Sequence, residues 1–193
     1  NGDSNTAHFN GGNISITGAS VNLPVSIFTE GGYDTGGEGS IFGGNAGSVS
    51  IEATGGNLQV GPIYARGGVG YICPSGCYRG DGGRGGDVHL TATGAITAST
   101  ISTGTLAGQY GYSGYFTGGS AGSVTIQAGA GVLTGVIDAK GGFGYSTAGG
   151  AGGAVSITST SGADVSMGDI HANGDGSRHG TASAGGDVMI TSG

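Results

Sequence analysis

Apolar residues recur along this chain in short alternating bursts, with no 3.6-residue stripe of the kind a helix would need. Six hexapeptides carry the pattern, each a small-residue step followed by an aliphatic pair: GGNISI at 11–16, AGSVSI at 46–51, GGDVHL at 85–90, AGSVTI at 121–126, GGAVSI at 152–157 and GGDVMI at 185–190. Their first apolar residues, Ile14, Val49, Val88, Val124, Val155 and Val188, are spaced by 35, 39, 36, 31 and 33 positions, a period near 35. Alternation inside each burst is strict, as in Val124-Thr125-Ile126-Gln127-Ala128, and a period of two predicts a strand. A second landmark of form I-x-A/T follows the first five anchors by 13 to 15 residues: Ile27-Phe28-Thr29, Ile63-Tyr64-Ala65, Ile101-Ser102-Thr103, Ile137-Asp138-Ala139 and Ile170-His171-Ala172. Between the two landmarks lies a third apolar pair, Val21/Leu23, Leu58/Val60, Ile96/Ala98, Val132/Thr134 and Val165/Met167.

One such coil cannot bury its apolar edge alone. Stacking successive coils at the strand spacing of about 4.8 Å pairs every strand and builds a continuous aliphatic column. The pattern therefore predicts an all-β fold, a parallel β-solenoid (β-helix) of five to six coils of ~35 residues. It forms a single repeat domain over 1–193, with coils starting near 11, 46, 85, 121 and 152 and a partial one at 185. The remainder of each repeat is glycine-rich and absorbs the variation in length, for example at 67–86, 104–122 and 141–153. These excursions have two readings: flexible surface loops, or polyproline-II-like helices lying side by side, with Tyr33, Tyr71, Tyr78, Tyr110, Tyr112, Tyr115, Phe143 and Tyr145 packed along the flank.

Composition narrows the picture. Glycine supplies 50 of 193 residues, charged residues only 9% and prolines 3, with no sustained G-X-Y register, so the chain is neither collagen nor a charged disordered tail. The net charge of −7, with Arg66, Arg79, Arg84, Lys140 and Arg178 scattered, disfavours nucleic acid as a partner. No run reaches the 18 apolar residues of a membrane helix, which predicts no membrane insertion. The chain opens at Asn1 without an initiator Met or signal peptide and reads as processed or excised from something longer.

Candidate chemistry is sparse. Cys73 and Cys77 frame the segment Cys-Pro-Ser-Gly-Cys and are expected to form a local disulfide, which fits an extracellular address. A metal site would need more ligands than this pair, and His89 is the nearest further candidate in sequence. The nonapeptide calcium β-roll does not match, because here the apolar residue directly follows the aspartate and the period is near 35; weak calcium contact by Asp34, Glu38, Asp81 or Asp175 is the residual cation expectation, and no cofactor is expected. Superposing the repeats places Phe28, Tyr64, Ser102, Asp138 and His171 in one outward file, with Asp138 and His171 one strand spacing apart. Two residues make a poor catalytic constellation, and Asp169 and His179 do not complete it, so no enzyme is expected. An ice-binding face would need a regular threonine file. The outward files read Ser15, Ser50, His89, Thr125, Ser156, Met189 and Thr17, Glu52, Thr91, Gln127, Thr158, Thr191, which interrupt one and leave an ice-binding protein as a minor alternative.

The repeat G-G-x-A/G-G-S/D-V-x-I-x-A-x-G-x-(I/V/L)-x-x-G-x-I-x-A-x-G-G covers nearly the whole chain and resembles the glycine-rich β-strand repeats of large bacterial surface proteins, filamentous-haemagglutinin-like adhesins. The resemblance implies a secreted, elongated, non-catalytic protein at a cell surface or in a matrix. Such proteins run to many more coils, so the expected partners are the chain itself, by head-to-tail stacking, or neighbouring repeats of a longer chain. Surface glycans are the alternative partner, bound or cleaved by the solenoid, with Tyr71, Tyr78, Tyr110, Tyr112, Tyr115 and Tyr145 as the candidate stacking aromatics.

Overall fold

A computed structural model describes residues 9–32, 42–70, 80–105, 116–145 and 148–193. Among these residues every regular element is a strand, three to a repeat. The first repeat holds β1 (Ile14–Gly18), β2 (Val21–Leu23) and β3 (Ile27–Phe28); the second β4 (Val49–Ala53), β5 (Leu58–Val60) and β6 (Ile63–Tyr64); the third β7 (Val88–Ala92), β8 (Ile96–Ala98) and β9 (Ile101–Ser102). The fourth holds β10 (Val124–Ala128), β11 (Val132–Thr134) and β12 (Ile137–Asp138), the fifth β13 (Val155–Ser159), β14 (Val165–Met167) and β15 (Ile170–His171), and β16 (Val188–Ser192) follows.

All pairings are parallel and join equivalent strands of successive repeats. They make one sheet in the order β1-β4-β7-β10-β13-β16 and two five-stranded sheets, β14-β11-β8-β5-β2 and β15-β12-β9-β6-β3. The fold is the predicted β-solenoid. Register never slips: Ile14, Val49, Val88, Val124, Val155 and Val188 oppose one another in a single row, although the excursions between them differ in length. A slip of one residue would turn each aliphatic row outward, so burial itself enforces the alignment.

The core is the set of inward rows. Ile51, Leu90, Ile126 and Ile157 from the first sheet meet Ile63, Ile96, Ile101 and Ile137 from the others, all with no exposed surface. Burying each such side chain contributes about 1.5–3 kcal/mol. The inward set of the first sheet tapers from large to small, with Ala53, Ala92 and Ala128 closing three of its strands at the corner. In the fifth repeat the corner between β13 and β14 is longer and uses Gly162 at φ 69°, a left-handed turn open to glycine. At β16, paired along one edge, Val188 and Ile190 continue the buried rows by register yet are each 48% exposed.

The glycine-rich excursions form a second ordered body. Outgoing segments leave the third strand of a repeat and returning segments re-enter the first strand of the next. In the returning layer Gly11, Ala46, Gly85, Ala121 and Gly152 donate their N–H groups to the carbonyls of Asn45, Arg84, Ser120, Ala151 and Ala184 at 2.8–3.0 Å. Three residues upstream, Gly43, Gly82, Gly118 and Gly149 donate likewise to Asp81, Thr117, Ala148 and Thr181. The next residue along bonds across to the outgoing layer, Gly44 to Gly32 and Gly47 to Thr29, Gly83 to Gly68 and Gly86 to Ala65, Gly150 to Gly142 and Gly153 to Ala139, at 2.7–2.9 Å. Hydrogen bonding that repeats every third residue and runs only between segments is the signature of packed polyproline-II helices. Between the two sequence-level readings of the excursions, the described portions follow the packed one.

Close approach is why glycine is required there. A Cβ on Gly83 would sit 2.0 Å from the Gly44 carbonyl oxygen, one on Gly119 2.1 Å from that of Gly83, and one on Gly150 1.8 Å from that of Gly119. By contrast, a Cβ on Gly12 would meet nothing within 4 Å. No G-X-Y register runs the length of the chain, but the returning segments contain one locally. Phe42 and Asn45 are each followed by two small residues, which brings the register to Ser48 just before the strand, and Asp81, Arg84, Asp87 and Thr117, Ser120, Ser123 repeat the arrangement.

The hydroxyl groups at the boundary between the two bodies are mostly satisfied. Thr29 Oγ1 donates to the Gly47 carbonyl at 2.7 Å and Thr103 Oγ1 to that of Gly122 at 2.8 Å. Away from that boundary, Thr134 of β11 is buried between Ala98 and Met167 in register, and its Oγ1 has no partner. A buried hydroxyl without a bond costs about 1–3 kcal/mol. Thr134→Val keeps the shape and removes the unpaired group, so it should raise stability by about 1 kcal/mol in urea denaturation; a loss of that size would contradict the assignment.

Candidate functional site

The structure bears unevenly on the residues singled out from sequence. Cys73, Cys77, Tyr71, Tyr78, Tyr110, Tyr112 and Tyr115, with Tyr33, Asp34 and Glu38, lie outside the described residues. Tyr145 is described. Its half-buried ring stacks on Phe116 at 6.0 Å between centroids and meets the edge of His179 at 5.2 Å, with the Arg178 guanidinium 5.6 Å over it. Backbone bonds from Tyr145 N–H to Phe116 and from His179 N–H to Tyr145 hold these rings in successive layers. Much of the Tyr145 ring is thus engaged within the fold.

The outward file of the third sheet is as predicted. Phe28, Tyr64, Ser102, Asp138 and His171 pair in register. Phe28 and Tyr64 stack at 5.1 Å, and Arg66 covers Tyr64 while pairing with Glu30 one layer away. Ser102 is buried despite facing outward, since it stands between the larger Tyr64 and Asp138 of the adjacent layers. Asp138 and His171 are neighbours. The nearby Lys140 reaches Asp175 at 3.6 Å. Among the described residues no three of His, Cys, Asp and Glu converge into a metal site. On the first sheet the two outward files mix chemistries as the sequence reads, with His89 bonding Thr91 at 3.0 Å.

Sequence reasoning missed the face built by the returning layer. Its triplets align in three files across the repeats: Phe42, Asp81, Thr117, Ala148, Thr181; Asn10, Asn45, Arg84, Ser120, Ala151, Ala184; and Asn13, Ser48, Asp87, Ser123, Ala154, Asp187. The signal was the X-G-G spacing, which becomes visible once the returning segments are read as threefold helices. Between the first two files the floor is glycine, and at its start an open groove of about 370 Å³ is lined by Asn10, Phe42, Gly43, Asn45, Asp81 and Gly82.

A recurring device fixes the polar walls. The N–H of one layer donates to a side-chain oxygen of the layer before it: Asn45 N–H to Asn10 Oδ1 and Arg84 N–H to Asn45 Oδ1 at 2.8 Å, Thr117 N–H to Asp81 Oδ1 at 2.7 Å. A backbone N–H can only donate, so the amide oxygens of Asn10 and Asn45 are the atoms turned inward, and each Nδ2 is turned away. In the third file Ser48 N–H donates to Asn13 Oδ1, and Ser123 gives Asp87 Oδ1 both its N–H, at 2.8 Å, and its hydroxyl, at 2.9 Å.

Asp87 also pairs with Arg84 at 3.1 Å. Partial burial pushes its carboxyl up, but the Ser123 donors and the Arg84 charge together outweigh burial and hold it below the usual carboxylate range. No family model, curated protein or solved structure matches this chain.

A lowered native pKa means that the unfolded state binds a proton first. The Asp87 contribution is therefore complete above about pH 4, the unfolded aspartate value, and lost as pH falls through the native pKa. The stability gap between the native chain and Asp87→Asn should be open at neutral pH and close on acidification, read by denaturant titration across pH. A gap independent of pH would contradict this account.

Proposed function

We propose that this chain is a non-enzymatic structural and adhesive module of the extracellular surface or matrix, a solenoid segment that stacks end to end into a fibre or continues within a longer surface protein. The observation that carries the reading is the contrast between inward and outward files. Inward positions are aliphatic in nearly every layer, with Thr134 and Ser159 among the exceptions, whereas the outward file of the third sheet changes from Phe28 to Tyr64, Ser102, Asp138 and His171. Selection for stacking explains constancy inside, and a single repeated surface chemistry is not what the outside maintains.

Two further features support a rod. Both bodies propagate hydrogen bonds along the same axis, the sheets through their ladders and the glycine slab through its returning layer. Among the described residues β1 and β16 are the two edge strands of the first sheet, with Ile14 and Ile16 in the same inward rows as Val188 and Ile190, so the parallel ladder can continue from one edge to the other of a second copy. Negative-stain electron microscopy of the purified chain at micromolar concentration tests stacking. Filaments of uniform width that disappear in Ile190→Lys are expected, and compact single particles at every concentration would contradict end-to-end assembly.

A further inference from the structure

The groove at the start of the returning layer is the strongest unassigned feature among the described residues. Its floor, Gly43 and Gly82, has no side chains, so a ligand can approach the backbone closely. Its walls are adjacent triplet positions of one polyproline-II segment, which stand about 9 Å apart at three residues of 3.1 Å each. The volume of about 370 Å³ falls within the range of small-molecule sites.

The lining has a definite chemistry. Asn10 and Asn45 present amide N–H groups in consecutive layers, because their oxygens are fixed by the N–H groups of Asn45 and Arg84. Asp81 is held the same way through Oδ1 by Thr117, which leaves Oδ2 to accept. Phe42 adds an aromatic ring, 37% exposed, at the rim. The site thus offers two oriented donors, one oriented acceptor and an apolar face on rigid backbone, so their ordering entropy is already met in the free protein.

We propose that this groove binds a neutral oligosaccharide lying along the rod axis, its hydroxyls bonded to Asn10, Asn45 and Asp81 and its C–H face on Phe42. Donors and an acceptor in the same small space suit hydroxyl groups, which do both. An acidic polymer is disfavoured by Asp81 and the net charge of −7, and the neighbouring Arg84 is paired with Asp87. Along the same channel the walls shrink to Ala148, Ala151 and Ala184, so recognition belongs to the first three repeats. The inference gives the adhesive part of the proposed function a ligand class. It depends on one chain only, so absence of filaments and absence of binding are separate results.

The test is an NMR titration of the ¹⁵N-labelled whole chain with maltohexaose, cellohexaose, N-acetylchitohexaose and mannohexaose at millimolar concentration. One of them should shift the Gly43 and Gly82 amides and the Asn45 side-chain amide in a saturable way. Phe42→Ala should weaken that binding about tenfold, and Asn45→Asp, which keeps an oxygen for the Arg84 N–H but removes the donor, should do the same. Phe28→Ala, on a different face, should leave it unchanged, and melting temperatures confirm that the variants fold. The proposal is overturned if none of the four sugars moves a groove amide, if binding survives both groove variants, or if only hexagalacturonate or a lysine-rich peptide binds there.

Discussion

Close contact between backbones with no Cβ between them is the constraint on which this structure depends. A Cβ on Gly83, Gly119 or Gly150 would fall about 2 Å from a carbonyl oxygen of the adjoining layer, well inside van der Waals contact. With glycine in place, returning segments bond to each other through one residue of each triplet and to the outgoing layer through the next. An ordinary side chain at these positions would push the layers apart and leave buried N–H groups without acceptors. The abundance of glycine is therefore an ordering device, even though each glycine loses more chain entropy on folding than other residues.

The slab and the sheets depend on one another. A solenoid coil of three short strands with an aliphatic interior is narrow, and its third strand has only two paired residues per layer. The slab extends the same layer spacing beyond it, so that residues following β3, β6 and β12, such as Thr29, Ala65 and Ala139, accept bonds from Gly47, Gly86 and Gly153 in the next returning segment. Side chains that bridge layers reinforce the register: asparagine and aspartate oxygens take N–H groups from the following repeat at Asn10, Asn13, Asn45, Asn57, Asp81 and Asp87. The surface consequence is a face whose polar side chains are positioned by backbone N–H groups, and the groove beside Phe42 belongs to that face.

The solenoid was legible because its rules are local. Period-two alternation in the bursts from Ile14 to Val155, plus the narrow spacing of 13 to 15 residues to landmarks such as Ile27 and Ile63, fixes strands, faces and register together, and the structure pairs the same residues. The slab was half legible: glycine runs admit loops and packed helices equally, and the choice turns on hydrogen bonds between segments far apart in sequence, which no local pattern encodes. The candidate site was not legible. The aromatics that stand out in the sequence are tyrosines such as Tyr145, whose ring is engaged by Phe116, His179 and Arg178, whereas Asn10, Asn45 and Asp81 come together only when three repeats are stacked. Spacing by threes between glycine pairs was the available clue, and it has meaning only for a threefold helix.

Amide hydrogen exchange followed by NMR tests the ordered slab most directly. The N–H groups of Gly44, Gly47, Gly83, Gly86, Gly150 and Gly153, which bond across the two layers, should exchange as slowly as the strand amides of Ile51 and Ile126. Exchange of those glycines at the rate of an unprotected chain, with the strand amides still protected, would show that the excursions are loops on a bare solenoid and would contradict the account.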